Sequence, residues 1–380
     1  MDLEEYISNF DIFITFFLTV LITSLVIKFS SHIGMLDVPN KRSAHVSPTP
    51  RGAGVAMFLS YMSVLFFTHI DFVILHWGFF LGLSLIFLVG VIDDNKEVSP
   101  KLKFIFIIVA TILLFFIEGL KIETLGSWGS FQIELPFVIS LLITLVGIIG
   151  FTNALNLIDG LDGLAGTIAL VILASLWYIG YRYDDAFILT VSMFVMVSLV
   201  GFLIFNWSPA SIFMGDSGSL VLGFVIAALS VKATDYICDT SILFIAALPL
   251  IDTLVVMTRR IQRGLSPFSA DKTHLHHKLL FVRGSVDGAV HIIIAMQILL
   301  SALGLLLRDG NDLINIGLFI IVLFIAFQLL DERKMQRDSF MFTKYKKSIQ
   351  CFFKRKGVGI DTAIILSILA LLVVIVSYLL

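Results

Sequence analysis

The chain has 380 residues, of which 58% are hydrophobic and only 14% are charged, and its formal net charge is -2. Too few polar side chains are available to cover a globule of this size, so an ordinary soluble protein is excluded. The composition instead predicts a protein that has the lipid bilayer as its solvent, and the net charge says little because charge placement matters more than the sum.

A helix that spans a bilayer needs about 20 mostly apolar residues, and such stretches recur along the whole chain. The first one follows an acidic segment rather than a basic one, so we expect it to be retained as a membrane helix. The predicted fold class is all-α, a polytopic integral membrane helical bundle of about 11–12 transmembrane helices. The predicted helices lie near residues 10–30, 52–69, 74–92, 103–118, 136–152, 163–180, 186–205, 217–232, 241–258, 288–307, 312–330 and 360–380.

Lysine and arginine are concentrated in alternate loops, and basic residues favour the cytoplasmic side of a membrane. The loops after the odd-numbered helices are therefore predicted to be cytoplasmic. They contain Lys41, Arg42, Arg51, Lys96, Lys101, Lys103, Arg259, Arg260, Arg263, Lys272, Lys278, Arg283 and nine more basic residues between Arg333 and Lys356. The other loops contain only Lys121, Arg182, Lys232 and Arg308.

We assign residues 1–330 to a transmembrane domain, and residues 331–380 to a basic cytoplasmic segment plus an extra C-terminal transmembrane helix.

Aspartates cluster on the same predicted side of the membrane. Ionisable residues are costly near the bilayer and are retained there mainly for function. These aspartates are Asp37, Asp93, Asp94, Asp159, Asp162, Asp216, Asp252 and Asp271. The sequence therefore predicts a functional site at the cytoplasmic face.

The adjacent pair Asp93-Asp94 closes an apolar helix. Two neighbouring carboxylates repel each other unless a cation or a proton relieves the repulsion, and a divalent metal ion relieves it well. A solvated helix terminus is the alternative interpretation.

A second motif, from Asn153 to Gly166, contains two asparagines and two aspartates at three-residue intervals. Helical spacing places Asn153, Asn156 and Asp159 on roughly one face. Such a face offers amide and carboxylate groups to a polar ligand, whereas polar packing between membrane helices is the alternative.

The turn from Phe213 to Ser219 opens an apolar helix. We expect Ser217 or Ser219 to cap this helix, and its amides and dipole favour an anion. Asp216 is well placed to hold a metal ion that bridges phosphates.

Three histidines, His274, His276 and His277, follow Arg260 and its basic neighbours. A zinc site is one interpretation of such a cluster. The arginines and the lack of a nearby cysteine favour an anionic ligand such as a pyrophosphate.

From Asp37 to His277, the sequence resembles the polyprenyl-phosphate N-acetylhexosamine-1-phosphate transferases, glycosyltransferase family 4, of the WecA/TagO type. The motifs that carry the resemblance occur in the family's order. They are Asp37-Val-Pro39-Asn40 with Arg42 and His45, Asp93-Asp94 with Lys103, Asn153 to Gly166, Phe213 to Ser219, Pro249-Leu-Ile-Asp252, and His274-Leu-His276-His277. The segment after residue 330 departs from the simplest pattern of this family.

The resemblance implies a phosphoglycosyltransferase in a bacterial cytoplasmic (inner) membrane, with its active site on the cytoplasmic face. Such an enzyme transfers GlcNAc-1-phosphate from UDP-GlcNAc to undecaprenyl phosphate and releases UMP. This step initiates a cell-envelope glycan such as an O-antigen, common antigen or teichoic acid. The implied cofactor is Mg²⁺, with Mn²⁺ as a substitute, and the implied partners are membrane lipid and a second copy in a homodimer, with no nucleic acid.

The resemblance also assigns roles to individual residues. Lys103 and the histidines would contact phosphates, Asn156, Asp159 and Asp162 would face the nucleotide, and Phe213 would stack on uracil. The catalytic residues would be Asp93 as the base, Asp94, Asp159 and Asp216, and the metal ligands would be Asp216 and Asp93. The substrate-binding residues would be Lys103, Asn153, Asn156, Asp162, Asn206, Phe213, Arg260, His274, His276 and His277.

Three alternatives remain from the sequence. The same reaction could use another UDP-HexNAc donor. A CDP-alcohol phosphotransferase is suggested by Asp159-Gly-Leu-Asp162-Gly163, but Gly166-Thr167 stand where that family has Ala-Arg. A secondary transporter would place its acidic residues near the bilayer midplane and show repeated halves.

Overall fold

The computed structural model describes residues 7–37, 39, 48–129, 131–267 and 274–329. Its helices are α1 (Asn9–Ile33), α2 (Ala53–Thr68), α3 (Ile70–Leu75), α4 (Trp77–Asn95), α5 (Pro100–Leu113) with a π-helical continuation (Leu114–Glu118), α6 (Phe137–Ile158), α7 (Leu164–Tyr183), α8 (Ala186–Asn206), α9 (Asp216–Ala233), α10 (Ser241–Ile245), α11 (Ala247–Gln262), α12 (Leu275–Arg283), α13 (Val286–Leu306) and α14 (Asp312–Leu329). Two short antiparallel strand pairs join β1 (Leu36–Asp37) to β2 (Thr49–Pro50), and β3 (Thr124–Trp128) to β4 (Phe131–Glu134).

The all-α, polytopic fold class is confirmed. In the part of the chain that the structure describes, eight helices are long and apolar enough to cross a membrane. Eleven of the predicted apolar stretches coincide with helices, while the stretch 360–380 and the basic segment before it lie outside the described residues. The site described below belongs to the unit Met1–Phe324 of the chain.

The stretch predicted as one helix over 241–258 is divided into α10 and α11 at Ala246. Pro249 lies in the first turn of α11, and its lack of an amide hydrogen favours a helix start there. Gln297 of α13 satisfies the broken backbone, since its amide oxygen accepts from Leu248 N at 3.1 Å and its amide nitrogen donates to Ile245 O at 2.7 Å. The break between α10 and α11 is therefore stabilised by specific hydrogen bonds, and it sets the direction of α11.

The helix α9 is almost entirely buried, with α2, α4, α6 and α7 packed around it. Glycines allow this close approach: a Cβ added to Gly54 would lie 2.1 Å from Gly218 N, and one added to Gly90 would lie 2.6 Å from Ser217 Cα. Small residues are favoured between membrane helices because they let backbones pack together. The first turn of α9 is consequently wedged between α2 and α4.

At the opposite end of the bundle, Asp312 at the start of α14 fastens the hairpin β3–β4. Its carboxylate accepts from Ser127 N at 2.8 Å, and from Thr240 N at 2.9 Å and Thr240 Oγ1 at 2.6 Å. Buried polar groups need such partners. These bonds hold β3 and the start of α10 to the start of α14, far from the acidic motifs.

Gly54→Ala should destabilise the protein, because the added methyl group would overlap the backbone of Gly218. We expect a loss of about 3 kcal/mol in the free energy of unfolding, at the upper end for an overpacked core. Thermal unfolding in detergent measures it. Gly150→Ala in α6 is the matched control, because a Cβ there meets no atom within 4 Å. Equal unfolding temperatures for the two variants would contradict this packing argument.

Candidate active site

The carboxylate of Asp94, in the last turn of α4, caps the N-terminus of α9. One oxygen accepts from Asp216 N at 2.8 Å, and the other accepts from Ser217 N at 3.1 Å and from Ser217 Oγ at 2.5 Å. The expectation that Ser217 or Ser219 caps this helix is wrong, since the N-cap residue is Gly215 and makes no side-chain cap bond. The anion expected at this helix start is Asp94 itself, which also complements the helix dipole.

The ammonium group of Lys103, near the start of α5, joins two of the predicted site residues. Its Nζ lies 2.8 Å from Asp93 Oδ1 and 2.5 Å from Asp216 Oδ2. Asp93 Oδ1 also accepts from Val98 N at 2.8 Å, so the loop between α4 and α5 is fixed to the same carboxylate. Residues more than a hundred positions apart in the chain thus share one cation.

Asn156 on α6 completes this group. Its amide nitrogen donates to Asp216 Oδ1 at 3.1 Å and to Ser219 Oγ at 2.8 Å. The predicted single face of Asn153, Asn156 and Asp159 is not formed. Asn153 donates to Ile149 O of its own helix at 2.8 Å, and Asp159 lies beyond the last helical residue, as the C-cap. We refer to Asp93, Asp94, Lys103, Asn156 and Asp216 as the acidic junction.

Asp159 lies at the end of α6 near the acidic junction, and its side chain is partly exposed. Burial, followed by the negative charges of Asp216, Asp94 and Asp162 in that order, raises the pKa of Asp159 to about 7. Desolvation and like charges both disfavour the carboxylate form. The site therefore carries more negative charge than Lys103 compensates.

The predicted residues Asp162 and Asn206 form hydrogen bonds between the loops near Asp159. Asp162 Oδ2 accepts from Ala210 N at 3.0 Å. Asn206 is buried, accepts from Gly163 N at 3.0 Å and donates to Ile212 O at 2.8 Å. These bonds join the start of α7 to the loop that leads to Phe213.

The backbone of Phe213 is paired with the segment before α2. Its amide donates to Pro50 O at 2.8 Å, and its carbonyl accepts from Ala53 N at 3.2 Å. The ring is partly exposed. The loop before α9 is thus hydrogen-bonded through its backbone to the start of α2.

Asp252 on α11 holds the histidine motif. Its Oδ2 lies 2.8 Å from His274 Nδ1, and its Oδ1 accepts from Leu275 N at 2.7 Å. Asp252 is buried, so this pairing is shielded from solvent. The sequence placed Asp252 in a motif without giving it a role, and the structure shows that it positions the histidines. A carboxylate hydrogen-bonded to one ring nitrogen fixes the orientation of the imidazole.

The predicted residues His276 and His277 lie against the loop that follows α6. A Cβ added to Gly160 would meet His276 Nε2 at 2.3 Å, and the His276 and His277 ring centroids are 4.2 Å apart. Burial, followed by the charge of His277, lowers the pKa of His276 to about 3. His276 is therefore a neutral imidazole near pH 7. Arg260 is also buried, and its Nη1 donates to Pro267 O at 2.7 Å.

Within the described ranges, no three acidic, histidine or cysteine side chains surround a single point as metal ligands. The donor set of the acidic junction nevertheless fits Mg²⁺ chemically, because carboxylate and carboxamide oxygens are the ligands that this ion prefers. The excess negative charge at Asp159 is consistent with a bound cation. Lys103 is the cation that pairs Asp93 with Asp216 in this structure.

Sequence reasoning missed Arg51, which it counted only as a cytoplasmic charge. The guanidinium donates to the carbonyl oxygens of Asp93 and Asp94. Its position one residue before Gly52, at the start of α2, is the faint signal in the sequence. The motif residues Asn40, Arg42 and His45, and the residues Asp271 and Lys272 of the histidine loop, lie outside the described residues.

A family model described as glycosyl transferase family 4 matches residues 76–234. The chain is also similar to the probable undecaprenyl-phosphate N-acetylglucosaminyl 1-phosphate transferase of Bacillus subtilis (strain 168), with 32% identity over 348 residues, covering 89% of this chain and 96% of the relative. The undecaprenyl-phosphate alpha-N-acetylglucosaminyl 1-phosphate transferase of Haemophilus influenzae is 32% identical, covering 71% of this chain and 78% of the relative. That of Escherichia coli (strain K12) is 27% identical, covering 83% and 89%.

Asp159 should make the protein less stable as the pH rises from about 4 to about 7. Its pKa of about 7 in the folded protein exceeds the ordinary 3.8, so the folded state keeps a proton that the unfolded chain has lost in this window. The free energy of unfolding therefore falls with rising pH. Unfolding temperatures in metal-free detergent solution, at about pH 5 and about pH 7.5, measure the fall.

Asp159→Asn should remove this part of the pH dependence, because the amide has almost the same shape and does not titrate. Each kcal/mol of lost stability corresponds to roughly 1–2 °C in a chain of this length, from the entropy of unfolding per residue. The same slope in the variant and the unmodified protein would show that Asp159 is not protonated in the folded state.

Proposed function

Because the chain belongs to glycosyl transferase family 4, we propose that it transfers N-acetylglucosamine 1-phosphate from UDP-GlcNAc to undecaprenyl phosphate and releases UMP. The chain is a membrane phosphoglycosyltransferase, and the names of its relatives supply the acceptor and the transferred group. The observation that carries the proposal is the acidic junction, where Lys103 and Asn156 meet Asp93 and Asp216 at the ends of four helices. Other UDP-HexNAc donors remain the alternative for the same site.

The proposed reaction is a single displacement. A phosphate oxygen of the lipid forms a bond to the β-phosphorus of the nucleotide sugar, while the bond from that phosphorus to the oxygen it shares with the α-phosphorus breaks, so that UMP leaves. The lipid phosphate is largely ionised near neutral pH and is already a nucleophile. Both carboxylate oxygens of Asp94 are engaged in capping α9, which supports direct attack over a covalent intermediate on this residue. Asp93 is the candidate base beside the lipid phosphate.

Phosphoryl transfer depends on alignment and on the neutralisation of crowded negative charge. We assign Asp216 as the principal ligand of Mg²⁺, with Asp93 as a second ligand and Mn²⁺ as a substitute. When bound, the ion would supply positive charge to the phosphates of the donor. The carboxylate and carboxamide oxygens of the acidic junction and the excess negative charge near Asp159 support this assignment.

The remaining site residues have side chains whose chemistry suits a sugar nucleotide. Lys103 and the histidine motif supply groups for phosphates, and the partly exposed ring of Phe213 offers a stacking surface for uracil. We assign the nucleotide to Asn156, Asp159 and Asp162, whose loops are fastened together. Asn153 and Arg260 complete the proposed binding set, and the buried Asn206 would support it by holding Gly163 N and Ile212 O together.

The proposed location is the cytoplasmic (inner) membrane of a bacterium, with the acidic junction on the cytoplasmic face. The lysine and arginine bias of the loops supports this orientation. The product would begin a cell-envelope glycan, and the enzyme would act as a homodimer.

Purified protein supplied with UDP-GlcNAc, undecaprenyl phosphate and Mg²⁺ should release UMP, and a panel of UDP-sugars should identify the preferred donor.

Asp216→Asn should reduce kcat by roughly 100–1,000-fold, because it removes a charge that contacts both Lys103 and the proposed metal. Asp309→Asn is the matched control, since Asp309 is exposed and pairs with Arg308 at the opposite end of the bundle. Silence of the unmodified protein with every UDP-HexNAc would reject the proposed function, and a fully active Asp216→Asn would reject the metal assignment.

Lys103→Gln should bind divalent metal more tightly while it transfers more slowly. The substitution removes the cation that neutralises Asp93 and Asp216, so Mn²⁺ should bind about tenfold more tightly, a gain of about 1.4 kcal/mol. Electron paramagnetic resonance of Mn²⁺ measures the affinity independently of turnover. Lys101→Gln, an exposed lysine two residues earlier, should leave the affinity unchanged. Weaker metal binding by Lys103→Gln would contradict a site between Asp93 and Asp216.

A further inference from the structure

The backbone of Arg51 is fixed by two other segments of the chain. Its amide donates to Met35 O at 3.1 Å, and the residue forms a parallel bridge with Phe213. The neighbours of Arg51 complete this pairing through Pro50 O and Ala53 N, which bond to the backbone of Phe213. The side chain of Arg51 therefore begins from a point that is fixed relative to the loop carrying Asp216.

The guanidinium of Arg51 donates hydrogen bonds to the C-terminal end of α4. Its Nε donates to Asp94 O at 2.8 Å, and its Nη2 donates to Asp93 O at 2.7 Å. The last carbonyls of a helix lack intrahelical partners and carry the negative end of the dipole, so a cation that donates to them is stabilising. A guanidinium presents its donors in a rigid fork and can bond two adjacent carbonyls, whereas an ammonium is a point charge.

These bonds connect α2, α4 and α9 in a closed ring of contacts around the acidic junction, which we call the circuit. Arg51 holds the carbonyl of Asp94, while the carboxylate of the same residue holds the amides of Asp216 and Ser217. The backbone bridge from Arg51 to Phe213 returns the circuit to the loop before Asp216. The position of Asp93, which extends from the same turn toward Lys103, depends on this circuit.

We propose that Arg51 is a positioning residue for the transfer reaction. It sets the last turn of α4 against the start of α9, so that Asp93, Lys103 and Asp216 meet in the geometry that the displacement needs. Arg51 acts through the backbone of the two aspartates rather than through contact with a substrate. This inference rests on the proposed function, but the geometry that it describes can be measured without it.

Arg51→Lys tests the proposal, because it keeps the positive charge but cannot bond both carbonyls in the same way. The kcat for UMP release should fall about 10–100-fold, as expected for misplaced reacting groups, while the KM for UDP-GlcNAc stays within about threefold. Arg182→Lys is the matched control, since Arg182 is an exposed arginine at the end of α7, away from the acidic junction. A kcat for Arg51→Lys equal to that of the control, or a rise confined to KM, would overturn the proposal.

Hydrogen exchange followed by mass spectrometry gives a second readout that needs no activity. The amides of Asp216 and Ser217, which donate to Asp94, should exchange faster in Arg51→Lys than in Arg182→Lys, while the middle of α9 remains protected. Unchanged exchange at these two amides would overturn the positioning role. If the unmodified protein releases no UMP, the proposed function fails, and this exchange measurement still decides whether Arg51 holds the two helix ends together.

Discussion

The carboxylate of Asp94 joins the end of α4 to the start of α9, and the rest of the site is arranged around this join. Three hydrogen bonds run from the first two residues of α9 to this one side chain, in a position with almost no solvent contact. Such a cap is worth more in a buried setting than on a surface, because the amides have no water to replace it. It places Asp216 at a fixed distance from Asp93.

Close helix packing makes this join possible. Glycines on α2 and α4 contact the first turn of α9 without intervening side chains, so three helix ends lie within reach of one another. The glycine at position 215 has the same purpose, since a Cβ there would lie 2.5 Å from both carboxylate oxygens of Asp94. Its φ of 75° also lies in the region that favours glycine. The acidic residues of the motif therefore depend on the small residues between them.

Charge balance is the second constraint on the site. Four aspartates lie near one another, and among the described residues Lys103 and Arg51 are the cationic side chains that contact them directly. Arg51 contacts the backbone of its aspartates, with Asp94 Oδ1 3.9 Å from its Nε, so Lys103 carries most of the direct neutralisation. A site with this excess of negative charge is suited to a divalent cation and unsuited to binding phosphates without one.

The sequence by itself determined that the protein is a membrane helical bundle, where most of its long helices lie, and which acidic motifs share one side. These follow from apolar length and from the placement of charges, which are properties of short segments. The tertiary structure alone decided that Asp94 caps α9, that Arg51 holds the end of α4, that α10 and α11 are separate, and that Asp252 positions His274. Each of these contacts joins residues distant in the chain, and the packing of helices, not any local pattern, brings them together.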